Sequence, residues 1–508
     1  MVKSKYFTTP LYYVNAHPHI GHAYTTIVVD IIKKYYAQRG QKVVALTGTD
    51  EHGEKIVRMA ESQGKTPQAL SDEVASEFEN TWKKLNLDFD IFYRTTLPSH
   101  YDAVKYALQY IKDKGEIEFR EYEGEYCVGC ERFLKESELV NGGLCPDHLT
   151  KPEHRKESNY FFLMSKYQER LIRHFTDNPR SIRPDHYRNE ILSFLKEPLN
   201  DLCISRPKER LTWGIDLPFD SNFVTYVWVD ALTNYLAATG WPDKEKYDKD
   251  LWSTAVHLIG KDILKTHAIY WGALLMALDV PLFHEIHVNG FLLMGESKMS
   301  KSLGNVVRPL DLEEKYGRDT LRFYLLRELT YGMDSSFTPE SYINSVNAYL
   351  ANGIGNLVSR VLTLSIGNLG KYFDVKFQGE KELQLLEKTT ATMKSWNEGF
   401  EDLKYQNSIK AWSELVADVN TYINEEKPWA LAKDETKKEQ LLTVLGTCLQ
   451  AIQFLGRMIY PVLPNASLEI DRVLGTDGLG LGELPTHFDL TGDIPKLFQR
   501  VKSEEPTT

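Results

Sequence analysis

The chain has 508 residues, 42% hydrophobic and 26% charged, which excludes a disordered polypeptide and, at roughly 150 residues per domain, leaves room for about three domains. The net charge of −11 excludes a general nucleic-acid binder, which would carry an excess of basic residues, but not a protein that meets one RNA through a local basic surface. The longest apolar run, 268–278, is broken by Gly272 and is too short to span a bilayer, and the first residues carry no signal or transit pattern, so a cytoplasmic location with no membrane partner is expected.

Residues 5–14 alternate and are rich in Tyr, Phe, Thr and Val, which predicts a strand. A turn at 15–18 precedes a helix over 20–38, where Ile20, Tyr24, Ile27, Ile31, Ile32 and Tyr35 recur at helical spacing, and Gly40 closes it. A short buried strand, Val43–Leu46, then ends at Thr47-Gly48-Thr49-Asp50. This is a strand–helix–strand unit, and ligands of doubly wound parallel sheets bind at the carboxyl ends of such strands. Residues 116–160 differ: they are rich in Glu, Gly and Cys with short strand fragments, as in a small insertion that holds a metal. Further on, 255–259 predicts a strand, 262–278 a helix, and 286–288 a strand leading into a loop that carries Gly and Lys. From about 340 to 465 the pattern is helical and amphipathic, and the tail after 490 is expected to fray.

Five cysteines are present, and Cys127, Cys130 and Cys145 fall within nineteen residues. That clustering reads as metal rather than as a disulfide framework. Cys127-x₂-Cys130 and Cys145-x₂-His148, fourteen residues apart, supply four ligands, which suits one tetrahedral, structural Zn²⁺ with no open position.

Two motifs carry the chemistry. His19-Ile20-Gly21-His22 opens the first helix, where backbone N–H groups and the helix dipole favour a phosphate and Gly21 leaves room for it. Lys298-Met299-Ser300-Lys301-Ser302 lies on a Gly-flanked loop, where two lysines three apart can neutralise phosphate charge. Taken singly, each also fits an ordinary polar segment. Together, HIGH followed by KMSKS is the joint signature of class I aminoacyl-tRNA synthetases, and neither departs from it here. Adenylate formation, the in-line attack of a carboxylate on the α-phosphate of ATP, needs positioning and charge neutralisation rather than a protein nucleophile.

Over nearly its whole length the chain resembles methionyl-tRNA synthetases, most closely those with a single zinc knuckle. The resemblance implies a Rossmann-type doubly wound parallel sheet (α/β) with a zinc-knuckle insertion, followed by an all-α helical-bundle anticodon-binding domain. The implied divisions are 1–115 and 226–340 for the catalytic halves, 116–225 for the insertion and 341–508 for the RNA-binding part and tail. It implies that His19, His22, Lys298 and Lys301 are catalytic. ATP, taken with Mg²⁺, would also meet Gly21, Gly260 and Asp262, the last at its ribose. L-Methionine would be held by Leu11 and Tyr13, by Asp50 at its amino group with Arg206 as that carboxylate's partner, and by Trp228, Ala231, Tyr235, Ile263 and His267. Asn356, Arg360 and Trp429 match positions that read the anticodon of tRNA(Met). Some family members carry Pro where this chain has Leu232. Lys496-Leu-Phe-Gln-Arg looks like the family's closing segment, which packs back on the body. A further C-terminal dimerising domain found in some relatives does not follow it, so a monomer is expected.

Rivals are weighed on residues. The leucine, isoleucine and valine enzymes carry a large editing domain, and the interval from His22 to Lys298 is too short for one. The cysteine enzyme uses a zinc ligand in the first strand, and residues 5–14 contain no Cys. A non-catalytic RNA-binding paralogue would have lost a signature residue, and a small nucleotidyltransferase with an HxGH loop would lack the knuckle and the helical part.

Overall fold

The computed structural model describes residues 4–294, 297–298, 307–375, 379–476, 478, 480–481 and 485–502, apart from 130, 131, 135 and 147. The chain forms two compact units: the residues up to Pro18 together with Val43–Asn289, and His19–Lys42 together with the residues from Gly290 onward.

The first unit is built on a parallel sheet. Its strands are β1 (Lys5–Tyr13), β2 (Val43–Asp50) and β3 (Ile91–Arg94), then, beyond the insertion, β7 (Ile182–Arg183), β12 (Ala255–Gly260) and β13 (Glu285–Asn289), in the order β3-β2-β1-β12-β13-β7. All five pairings are parallel, as expected when helical crossovers join the strands. The insertion is more regular than the short fragments expected from sequence. β4 (Ile117–Cys127) pairs along ten positions with β6 (Glu153–Phe162), flanked by β5 (Arg132–Leu134) and β8 (Leu202–Cys203). Its many glutamates hid the strand pattern because they fall on both faces of the pair, Glu121, Glu123 and Glu125 on one and Glu118 and Glu153 on the other. A small antiparallel sheet of β9 (Ser205–Pro207), β10 (Asp216–Leu217) and β11 (Asp220–Thr225) leads back to the helix Val227–Ala237.

Two other expectations need correction. β2 runs on past Leu46 to Asp50, because Thr47 and Thr49 are buried strand residues. The helix expected over 262–278 is three pieces: a 3₁₀ turn Lys261–Ile263, a π-helix Thr266–Trp271 and an α-helix Gly272–Ala277.

In the second unit the helix Ile20–Ala37 carries a fully buried Asp30, which pairs with Arg322 at 2.6 Å, and Tyr35, whose ring stacks on Phe400 at 4.2 Å. Long helices Glu380–Glu401, Tyr405–Glu426 and Lys438–Ile459 form the helical part. The segment Glu435–Ile459 is long and apolar enough to cross a membrane by length and composition, which the sequence reading did not anticipate; 78% of its apolar window is buried inside the protein. The tail does not simply fray after 490: Val501 exchanges two hydrogen bonds of 2.8 Å with the Asn347 side chain.

Candidate active site

The floor of the site in the first unit is made by a flaw in β1. Pro10 has no N–H to give to the ladder, and the register slips by one residue between Thr8, opposite Leu46, and Leu11, opposite Gly48. After this bulge Tyr13 lies opposite Asp50 at the carboxyl edge of β2. Gly48 is obligatory, since a Cβ there would lie 1.8 Å from the Tyr93 carbonyl oxygen. Leu11 and Tyr13 are half-buried, and Asp50 is buried. The Lys55 ammonium sits 5.2 Å over the Tyr13 ring, and the Trp228 ring meets Tyr13 edge-on at 6.3 Å.

The wall rises from two helices. Trp228, Ala231 and Tyr235 come from Val227–Ala237, at spacings that keep them on one side. His267 comes from the π-helix, and its Nδ1–H donates to the Ile263 carbonyl at 2.9 Å. A carbonyl can only accept, so Nε2 is the ring's acceptor, and it takes the Tyr235 hydroxyl proton at 2.9 Å. Burial pushes the His267 pKa down to about 4, so the ring is neutral at pH 7. Burial, then the neighbouring Tyr12 and Asp50, raises the Tyr235 phenol. The wall is thus apolar in outline, with its one hydroxyl and one imidazole already bonded to each other and to the Ile263 carbonyl, which suits a flexible, weakly polar thioether. Ile263, half-buried, closes the same stretch. Gly260 ends β12, and a Cβ on it would lie 2.6 Å from Oδ1 of the exposed Asp262.

Arg206 is 3% exposed on β9. It donates to the Ser205 carbonyl at 2.7 Å and to Cys203 Sγ at 3.3 Å, and it lies 4.7 Å over the Tyr226 ring. Burial alone would lower its pKa, but Tyr126, Cys203 and Tyr226 raise it, so the guanidinium stays charged. Arg206 also lines a cavity of about 620 Å³ shared with Cys203, Tyr226, Lys265 and Tyr270, which none of the other expected pocket residues lines.

Sequence reasoning gave no role to a buried cluster beneath this wall, His52, His100 and Asp230. Asp230 stands inside the quoted 226–235 run and His52 two residues after Asp50, but the bonds joining them span 178 and 130 positions of chain. No local pattern signals such pairs.

In the second unit His19 is the N-cap of the helix Ile20–Ala37. Its Nδ1 accepts from the backbone N–H of Gly21 at 3.1 Å and of His22 at 3.4 Å. The rings of His19 and His22 stack with centroids 3.6 Å apart. A Cβ on Gly21 would lie 3.0 Å from the His19 ring, so the glycine is what lets that ring fold over the helix start. Burial, then His19, holds the His22 pKa well below its usual value. Two stacked imidazoles at the positive end of a helix dipole suit an anion. Lys298 lies on the two-residue strand β15 (Ser297–Lys298), which pairs with β14 (Leu292–Met294). Lys301 and Cys130 lie outside the described residues.

At the end of β4, Cys127 Sγ lies 3.9 Å and Cys145 Sγ 3.8 Å from His148 Nδ1, and the three ligand atoms fall within 4.8 Å of one another. A tetrahedral zinc with bonds of about 2.3 Å to sulfur and 2.0–2.1 Å to nitrogen asks for a separation of about 3.6 Å. The cluster therefore fits a metal. Gly129 permits it: a Cβ there would lie 2.5 Å from the His148 ring.

Of the three expected RNA-reading residues, two meet. The Arg360 guanidinium lies 4.8 Å over the Trp429 ring and donates to Asn424 Oδ1 at 2.8 Å. Trp429 is 38% exposed, so it is not a core residue. Asn356 begins the helix Asn356–Leu369 that carries Arg360 and is exposed.

Comparison with known proteins gives consistent matches. Residues 5–150 and 148–362 match the family model for class I tRNA synthetases (M), and 374–484 match the anticodon-binding domain of methionyl-tRNA ligase. The methionine–tRNA ligase of Halalkalibacterium halodurans is 39% identical over 99% of this chain and 79% of its own length. That of Clostridium perfringens is 42% identical over 93% and 74% respectively. The solved Mycobacterium tuberculosis methionyl-tRNA synthetase in complex with methionyl-adenylate superposes with a TM-score of 0.94 at 34% identity, covering 98% of this chain and 99% of that one.

Proposed function

The chain belongs to the methionine–tRNA ligase family of class I synthetases, and on that premise we propose which of its residues carry the reaction. In the first step a methionine carboxylate oxygen bonds to the α-phosphorus of ATP, the bond to the bridging oxygen breaks, and pyrophosphate leaves. In the second a ribose hydroxyl at the tRNA 3′ end attacks the methionyl carbonyl, and AMP leaves.

Asp50 receives the ammonium group of methionine, with Arg206 as that carboxylate's cationic partner. Tyr13, Leu11, Trp228, Ala231 and Ile263 enclose the side chain, and the bonded Tyr235–His267 pair closes the wall beside the thioether. Asp262 and Gly260 take the ribose. His19, His22, Lys298 and Lys301 carry the phosphate charge of Mg²⁺-bound ATP through the transition state. The observation that carries this reading is the stacked His19–His22 pair at a helix start, locked by hydrogen bonds of 3.1 and 3.4 Å to Nδ1. Asn356, Arg360 and Trp429 read anticodon bases by edge hydrogen bonds and stacking. Cys127, Cys130, Cys145 and His148 hold one structural Zn²⁺, which supplies folding energy to the insertion and takes no part in the reaction. A cytoplasmic, monomeric enzyme is part of the same reading.

Amino-acid-dependent ATP–pyrophosphate exchange tests it, with methionine, cysteine, leucine, isoleucine and valine compared in the absence of tRNA. Exchange with methionine alone is expected. His22→Ala should lower that rate about 10²–10³-fold, the usual cost of one preorganised transition-state donor. An unchanged rate would remove His22 from the catalytic group.

A further inference from the structure

Three side chains that the reaction does not use meet in the interior of the first unit. The Asp230 carboxylate is fully buried, and each of its oxygens is taken by a different ring. His52 Nδ1–H donates to Oδ2 at 2.7 Å and His100 Nε2–H to Oδ1 at 2.6 Å. Each imidazole is held on its far side as well: His52 Nε2 is 3.1 Å from the Tyr101 hydroxyl, and His100 Nδ1 is 3.3 Å from the Tyr93 hydroxyl. Burial would raise the Asp230 pKa, but His52 and His100 bring it down to about 2, so the carboxylate is ionised throughout the working range. Such a group neither gives nor takes a proton in the reaction.

A buried charge costs stability unless it is fully paired, and a fully paired one is geometrically demanding. What it joins here is telling. His52 lies two residues beyond Asp50 on the loop leaving β2. His100 lies in the helix Pro98–Asp113, which follows β3. Asp230 lies in the first turn of Val227–Ala237, between Trp228 and Ala231. The same loop is pinned on its other side, where buried Glu51 accepts two hydrogen bonds from Arg94, at 2.7 and 2.9 Å, and its carbonyl accepts one from Trp213 Nε1 at 2.5 Å. The loop is thus fixed to the sheet by Glu51 and to the wall helix by His52.

We propose that Asp230 is a positioning residue that sets the separation between the Asp50 carboxylate and the Trp228–Ala231–Tyr235 wall, and so sets the affinity for methionine. This rests on the assignment of those residues to the methionine pocket. Asn at 230 keeps the shape but one of its oxygens becomes an N–H₂ group, which cannot accept from a ring N–H. The geometry set by two ring N–H donors on two carboxylate oxygens is then lost at one oxygen, and the wall helix shifts relative to the loop.

The test is methionine-dependent ATP–pyrophosphate exchange by the full chain, with KM for methionine, KM for ATP and kcat measured separately. Asp230→Asn should raise KM for methionine about 10–100-fold, the scale of a sub-ångström to 1 Å misplacement. KM for ATP and kcat should stay within about threefold, because the hydrogen bonds of this cluster run to Tyr93, Tyr101 and the wall helix. His52→Asn keeps a donor at the reach of Nδ1 and His100→Gln keeps one at the reach of Nε2, so both should retain near-normal KM for methionine. His52→Leu removes one donor, leaves the His100 bond, and should raise it, which preserves the test if Asp230→Asn does not fold. An unchanged KM for methionine in folded Asp230→Asn or His52→Leu would overturn the proposal. So would a parallel change in all three constants, the mark of general loosening. Wild-type exchange with an amino acid other than methionine would overturn the pocket assignment instead.

Discussion

The wall proposed for the pocket in the sheet unit and the trio proposed to read RNA in the helical unit would solve recognition in opposite ways. Tyr235 and His267 are buried at 2% exposure each and joined to one another and to the Ile263 carbonyl before any substrate arrives. Arg360 and Trp429 rest on each other at 4.8 Å, with the indole 38% exposed. A small ligand offers few atoms, so selectivity has to come from groups whose positions are settled in advance. An RNA loop offers large flat bases, which an exposed ring accepts in more than one geometry. On the proposed assignment, buried preorganisation and exposed stacking would therefore serve two substrates of different size, not two grades of precision.

Three experiments separate the two regions. The largest effect is expected from Asp50→Ala, which removes the partner of a desolvated ammonium. It should lower kcat/KM for methionine by about 2–5 kcal/mol, about 30- to 5,000-fold, while KM for tRNA is unchanged. A tRNA effect of equal size would show that the two sites do not separate.

The next is a pH effect. The His267 ring takes a proton only near pH 4 in the folded protein, against about 6.5 when unfolded. Stability from this group is therefore fully present above pH 6.5 and is lost as pH falls from 6.5 to 4, by about 3 kcal/mol. Urea midpoints of the wild type should fall over that window, and those of His267→Gln should fall less. Asn356 and Trp429 carry no titrating group, so tRNA binding measured over the same window should lack this dependence.

The smallest is Trp429→Ala, which removes one stacking surface. It should lower kcat/KM for tRNA by about 1–3 kcal/mol and leave pyrophosphate exchange untouched. A loss of exchange would place Trp429 in the structural support of the helical unit.

What the sequence disclosed follows the same division between local and distant. The strand–helix–strand opening was legible because alternation and helical spacing are local patterns. So was the knuckle, because Cys127, Cys145 and His148 sit close in sequence. The length of β4 and β6 was not: their register depends on ten cross-strand partners, and solvated glutamates obscure the alternation. The π-helix was also invisible, since Thr266–Trp271 carries the same apolar residues an α-helix would. At the site, the resemblance supplied the names of the wall residues, but the tautomer of His267 and the clamp on Asp230 rest on partners distant in sequence. Arg206 shows the same limit, because its contacts to Ser205, Cys203 and Tyr226 arise from the fold of the insertion.

The π-helix has a consequence of its own. Each of its turns spends one residue more than an α-turn, so the segment behaves as a helix with an inserted residue. Removing any one residue between Leu264 and Gly272 would let it wind back to regular geometry with its flanking stretches kept in phase, while the side chains within the segment slip by one position. The imidazole of His267 would then face a different neighbour although every side chain of the wall was still present. Exchanges of side chain along this stretch are graded insults; a single deletion is total. The number of residues between β12 and the closing α-turn decides where these side chains sit as much as their identity does.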